Sequence, residues 1–392
     1  MKLKYLLFLL FVCSSCNRTK QVTVTEISKS EPVVEDSYTY YPIKDNRINV
    51  DLDKSQKASL FDYFSHIELI PLETSDDVLI GYCEEIVYYQ NRYYIFDRKQ
   101  LSVQVFDDAG KFIFQIDKRG QGPGEYTDLT SMILNPFTGN IDLTGMGFIY
   151  SYDLTGKHVK TFLRPENQTN YYWNFIAINA NMYVCFVGFR GEFDSYKINY
   201  YDVRENKMIR KEYEEDEHLN NFFHIPTSHT SFYEYRGKYF FYRLVDNTTY
   251  EVGADSLIKA YTWDFGKYNY DAKNLNLPND PWSITTLSYR IDVQGQNNRY
   301  LLANILLVDN KGVYLIHDKS TNECKYIEHF TEPVDFIPRK VTNEYVLSWC
   351  EHGALENYIS EEMLDETNRQ RFRKLLNTKE EMNPIIIKYY FK

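Results

Sequence analysis

Residue types able to do chemistry gather in three stretches of this 392-residue chain. The first is Gly120-Gln121-Gly122-Pro123-Gly124, flanked by Arg119 and Tyr126. Glycines can turn backbone N–H groups toward a phosphate, but that chemistry needs a strand before the loop and a helix N-terminus after it. Pro123 interrupts the glycines and strand-like sequence follows. The loop is therefore expected to connect two β units, with Arg119 and Tyr126 as candidate ligand contacts facing a central channel. The second stretch is Glu214-Glu215-Asp216-Glu217-His218, with His224 and His229 beyond it. Carboxylates and neutral imidazoles ligate divalent metals, yet this spacing matches no metal motif, and a solvated acidic loop is expected. No metal and no other cofactor is assigned.

The third stretch, Gly266 to Arg299, reads as an insertion holding Tyr268, Tyr270, Asn274, Asn276, Asp280, Trp282, Tyr289 and Arg290. Flat rings beside polar forks suit a carbohydrate-binding rim, which makes Trp282, Tyr289 and Arg290 candidate contacts. A packed decoration with its own small core is the alternative. For nucleophilic catalysis there is no GxSxG, no HExxH and no cysteine with a histidine at a recognisable spacing. Cys83, Cys185, Cys324 and Cys350 are far apart, and although an oxidising compartment permits a disulfide, Cys185 and Cys350 lie in strand-like runs that predict buried apolar thiols. Carboxylates scattered round a channel could form an acid–base pair, but linear sequence does not place them.

These stretches hang on a repeating scaffold. Residues 84–126 hold three runs rich in Tyr, Ile, Val and Phe, broken by Asn, Asp and Gly, which is the pattern of a meander of short antiparallel strands. The turn Phe106-Asp107-Asp108-Ala109-Gly110-Lys111 recurs at Tyr152-Asp153 to Lys157, with weaker echoes at Asp202, Glu251 and Asp318, so the acidic anchor steps by 46, 49, 49 and 67 residues. Such periods mark propeller blades. The units fall at about 84–116, 131–163, 175–213, 231–265 and 299–330, with a sixth from 333 onward. The predicted fold is an all-β, six-bladed propeller of four-stranded antiparallel blades. Pairing the orphan run His66–Leu72 with the terminal run Pro384–Phe391 would close the ring and remove open edges. One helix, Ser360 to about Leu376, is inserted in the last unit. Ser360 is its expected cap, Leu364, Phe372, Leu375 and Leu376 form its inward stripe, and the basic residues at its end suit either the helix dipole or anionic lipid.

Leu69-Ile70-Pro71-Leu72-Glu73, Tyr94-Ile95-Phe96-Asp97, Val105-Phe106-Asp107 with Gly110-Lys111, and above all Gly120-Gln121-Gly122-Pro123-Gly124-Glu125-Tyr126 resemble the six-bladed β-propeller lipoproteins of Gram-negative anaerobes, related to NHL-type propellers. The likeness is dense over residues 63–165 and thin beyond. It implies the same fold and says little about chemistry.

At the N-terminus, Lys2 and Lys4 precede the apolar run Tyr5–Val12 and then Cys13-Ser14-Ser15-Cys16. This is a secretory signal, far shorter than the roughly 18 residues of a membrane span. Its specific form is a lipoprotein signal over residues 1–15 with Cys16 as the lipid attachment site, anchoring the protein to a membrane without crossing it. Asn17 in place of Asp, by resemblance to Gram-negative lipoproteins, implies the outer membrane, with the periplasmic side favoured over the cell surface. Residues 16–59 are expected to be a polar tether, with the alternative that Arg47–Leu52 pairs along the propeller as an extra edge strand. Residues 60–392 would be the propeller.

Aromatic residues make up 17% and hydrophobic residues 43% of the chain, ample for a large core. The net charge is −11, and loss of Lys2 and Lys4 with the signal leaves 42 basic against 55 acidic residues. Such a surface repels phosphate backbones, which argues against nucleic acid as a partner. The sequence thus points to a lipid-anchored binding or scaffolding module for a glycan or an envelope protein. The rival is a glycan-active hydrolase or lyase using channel-mouth carboxylates or a metal.

Overall fold

The computed structural model describes residues 39–145, 147–163, 171–189, 196–214, 231–244, 246–269, 289–307 and 312–392. Strands β1 (Arg47–Asn49) and β2 (Phe64–Pro71) precede the repeats. Blade 1 is β3 (Cys83–Tyr89), β4 (Arg92–Asp97), β5 (Ser102–Asp107) and β6 (Phe112–Ile116). Blade 2 is β7 (Ser131–Leu134), β8 (Ile141–Gly145), β9 (Phe148–Tyr152) and β10 (His158–Leu163). Blade 3 is β11 (Tyr171–Asn179), β12 (Met182–Phe189), β13 (Tyr196–Asp202) and β14 (Lys207–Glu214). Blade 4 is β15 (Phe232–Tyr235), β16 (Lys238–Tyr242), β17 (Thr248–Val252) and β18 (Leu257–Asp264), and blade 5 is β19 (Tyr289–Gln296), β20 (Tyr300–Leu307), β21 (Gly312–Asp318) and β22 (Glu323–Ile327). Blade 6 joins β23 (Lys340–Val341), β24 (Tyr345–Cys350) and β25 (Ile385–Phe391) to β2, which pairs with β25 through Ile67↔Tyr389, Leu69↔Ile387 and Pro71↔Ile385. The predicted closure by the two termini is therefore present.

The acidic anchors are turn chemistry. The Asp107 carboxylate accepts from the N–H groups of Ala109 (3.0 Å) and Lys111 (2.7 Å), and Asp153 accepts from Thr155 (2.9 Å) and Lys157 (3.0 Å). Asp202 and Asp318 do the same for their own turns. An aspartate that satisfies its own turn fixes the hairpin locally, which is why the repeat is readable. Glu251 differs: it lies inside β17 opposite Ile258, and the turn there is closed by the Gly253 N–H on the Ser256 carbonyl. Gly110 has φ +81° and a Cβ would overlap the Pro71 carbonyl, so the first repeat turn sits against the closing strand.

Among the described residues six hydrophobic clusters fill the structure, one between each pair of neighbouring blades. The expectation of a tether to residue 59 is corrected by the N-terminal segment, which runs along the outside of three successive blades. β1 pairs in parallel with β18 of blade 4, with Ile48 wholly buried opposite Trp263 and Arg47 paired to Asp264. Ser55 and Ala58 then bridge to Tyr326 and Phe330 after it, along blade 5. β2 completes blade 6. The edge strand of blade 4 was thus the right reading of Arg47–Asn49.

The fifth unit begins earlier than the sequence suggested, at Tyr289. Its first strand carries a bulge between Val293 and Gly295, and a bulge breaks the alternation that makes a strand visible. The helix is also shorter than expected. Ser360 caps a single 3-10 turn, Leu364 is extended, and Asp365 caps helix α1 (Glu366–Leu376) by accepting from the Asn368 N–H at 2.8 Å. Leu364, Phe372 and Leu375 are buried, whereas Leu376 is exposed.

Candidate functional site

The glycine loop binds its own anion. The Glu125 carboxylate accepts from the Gly122 N–H at 2.9 Å, and a Cβ on Gly120 would overlap that carboxylate. Backbone N–H groups that could have held a phosphate are thereby used internally. Tyr126 faces no channel. It is wholly buried between blades 1 and 2, its hydroxyl donates to the Ile116 carbonyl (3.2 Å) and accepts from the Lys118 N–H (3.1 Å), and burial pushes it up to about 12. Arg119 is exposed but forms a two-pronged pair with Asp117 at 2.7 and 2.8 Å, which holds that carboxyl below its usual range.

Trp282, Tyr270, Asn274, Asn276, Asp280, His218, His224, His229 and Cys16 lie outside the described residues. Tyr289 and Arg290 open β19, the first strand of blade 5, rather than decorating an insertion. Among the described residues no group of three His, Cys, Asp or Glu side chains converges as a metal would need. Cys83, Cys185 and Cys350 are buried and Cys324 is half-buried, and among the described residues none of the four is in a disulfide.

The first strands of successive blades follow one another around the axis. Glu85 on β3 thus lies on the side of blade 1 toward blade 6, within the electrostatic reach of Lys340 on β23. Burial pushes the Glu85 carboxyl up to about 7, against the pull of the Lys340 ammonium and with a further push from Glu84.

The same seam carries a groove on its outer side. As the outermost strand of blade 6, β2 exposes an edge, and α1 covers it. The Leu69 N–H donates to Asn368 Oδ1 (3.0 Å), and Arg371 donates to the Leu69 carbonyl (3.1 Å). Side chains thus replace a missing neighbour strand, one of the ways an edge is protected. Beside this contact lies a cavity of about 500 Å³. Its floor is Leu69, Ile70, Pro71, Leu375 and Met382, and its walls carry the acids Glu68 and Asp108 and the bases Arg371 and Lys374. Glu68 accepts from the Tyr390 hydroxyl at 2.9 Å. Its cross-strand partner Lys388 is buried, with its ammonium 4.5 to 5.3 Å from the ring centres of Tyr88, Tyr93 and Tyr345, while Glu68 lines the groove. The sequence signalled only the basic end of α1, because the acids Glu68 and Asp108 and the floor residues Leu69, Ile70 and Pro71 come from β2 and from the turn after β5.

A family model described as "Domain of unknown function (DUF4934)" matches residues 45–390. No curated protein matches the sequence. Among solved structures, a Bacteroides fragilis protein described as exported is 16% identical with a TM-score of 0.65, covering 88% of this chain and 98% of its own. A member of the DUF4221 family from Bacteroides vulgatus is 11% identical with a TM-score of 0.48, covering 83% and 96%. At such identity the first likeness speaks for the fold alone. The match over residues 45–390 spans every described blade, and the chain belongs to the DUF4934 family.

Proposed function

We propose that this is a lipid-anchored propeller of the cell envelope that binds or scaffolds a partner, akin to the NHL-type propeller lipoproteins. Cys16 carries the lipid, Asn17 directs the protein to the outer membrane, and the domain faces the periplasm. The signal-like start supports export, as does the fold shared with a protein described as exported. The observation that carries the binding reading is the groove at the closure seam. Its apolar floor between opposed acids and bases would seat an extended or helical segment of mixed charge.

The test is a photo-crosslinking residue at Thr378 in the full chain, expressed in its own cells. The reading predicts one discrete adduct, lost when Asp108→Lys and Lys374→Glu reverse the walls. Absence of any adduct at Thr378 and at Ala109 would remove the groove as a binding site. Palmitate labelling of the wild type and its loss in Cys16→Ala check the anchor separately. An enzyme acting on glycans would instead depend on Glu85, whose raised pKa suits a general acid. Glycan cleavage abolished by Glu85→Gln would establish that rival.

A further inference from the structure

We propose that the corner between blades 4 and 5, where Arg236 and Lys319 meet at the ring of Tyr40, is a binding site for an oxyanion: the carboxylate, sulfate or phosphate of a small ligand. The site is separate from the groove and does not depend on it.

Topology brings the corner together. In a four-stranded meander the first and third turns fall on one face, and the first turns join the strands nearest the axis. Arg236 lies in the turn between β15 and β16, Asn298 in that between β19 and β20, and Asn343 in that between β23 and β24, so all three border the same channel mouth. Lys319 opens the turn between β21 and β22 on that face. Its side chain is folded inward, 5% exposed, and its ammonium donates to Gln296 Oε1 (3.1 Å) and the Asn297 carbonyl while lying 4.6 Å from the Tyr235 ring centre. Arg236 is exposed, stacked 4.7 Å from the half-exposed Tyr40 ring, with one nitrogen 3.5 Å from Asn298 Oδ1.

Among the described residues no carboxylate completes this arrangement. Among the described residues neither Arg236 nor Lys319 forms an ion pair, and Asp318, next along the chain, spends its carboxylate on Arg299 (2.8 Å) and Ser320 (2.9 Å). Among the described residues, two cations share a corner without an acid in a chain whose net charge is −11. Burial first, and the Arg236 charge second, hold the Lys319 amine down to about 7. The groups facing it are Tyr235 and Arg236 from blade 4, the neutral Gln296, Asn297 and Asn298 from blade 5 with the buried His317, kept neutral by its burial and by the Lys319 charge, and Tyr40 from the N-terminal segment. Arg236 is the charged member. An oxyanion would take the exposed fork of Arg236, which the Tyr40 ring holds in place, and favour the protonated form of Lys319, offsetting the repulsion between the two cations.

The experiment is thermal unfolding and calorimetry of the full chain in detergent, with glucuronate, sulfate or phosphate at about 10 mM against chloride of matched ionic strength. The three probes separate the three oxyanion sources. At least one is expected to stabilise the wild type, to bind roughly tenfold or more weakly to Arg236→Gln and to Lys319→Met, and to take up protons near pH 8, read as a heat that varies with the buffer. Arg236 is exposed, so its variant tests the site without disturbing the core. No shift with any probe, or the same shift in all three proteins as salt exclusion from the surface would give, overturns the proposal.

Discussion

The glycine loop after blade 1 and the Arg236–Lys319 corner both present positive potential, one from backbone N–H groups and the other from side-chain cations. They differ in what answers it. In the loop, Glu125 reaches back onto the Gly122 N–H and fills the nest from within. At the corner the acceptors are amides and a backbone carbonyl, and no carboxylate arrives from the described residues. A motif that looks like a binding site can thus be a closed structural joint. A binding site can equally be assembled from residues with no motif at all. The deciding quantity is whether the charge is paired inside the protein.

The largest expected effect falls on the closed joint. Gly124 has φ +75°, and a Cβ there would run into the His158 ring. Gly124→Ala is expected to lower stability by about 2–3 kcal/mol, measured by denaturant unfolding, and an unchanged midpoint would show that the loop is not held as described.

Next comes the pH response of the open corner. The Lys319 amine titrates at about 7 in the folded chain against 10.5 unfolded, so between those values the unfolded chain holds the extra proton and stability rises with pH. The wild type should gain on Lys319→Met by roughly 2 kcal/mol between about pH 7 and pH 9. A gap that stays constant would contradict the buried, uncompensated ammonium.

Glu125→Gln should cost about 1 kcal/mol, since the N–H of Gly122 keeps an oxygen acceptor but loses its charge. If phosphate then bound the vacated nest, the loop would have been a site held shut.

A further test concerns Glu85, whose folded-state value of about 7 lies above its ordinary 4.5. Here the folded chain holds the extra proton, so stability falls as pH rises through that window. Glu85→Gln is expected to raise the melting temperature at about pH 8 and to leave it nearly unchanged at about pH 4.

What the sequence revealed follows the same division between local and distant interactions. Asp107 and Asp153 each bond to N–H groups two and four residues ahead, so the turns, and with them the blade period, are written in contiguous residues. Closure by β2 and β25 was legible because both runs are apolar and lack local partners. The start of blade 5 was obscured by its bulge at Gly295, and that of α1 by the extended Leu364, which separates the two caps Ser360 and Asp365. The site was the least legible part. Tyr126 stands beside glycines in the sequence, but its burial depends on blade 2, which only the folded ring docks against it. Arg236, Lys319 and Tyr40 come from two blades and the N-terminal belt. Only the ring brings them within reach of one another.

The contrast between the filled nest and the open corner is tested most directly by diffraction from crystals of the full chain soaked in selenate, an oxyanion whose anomalous signal marks its position. An anomalous peak against Arg236 and Lys319, with none in the Gly120–Gly124 loop, is the predicted result. A peak in the glycine loop with the corner empty would contradict it.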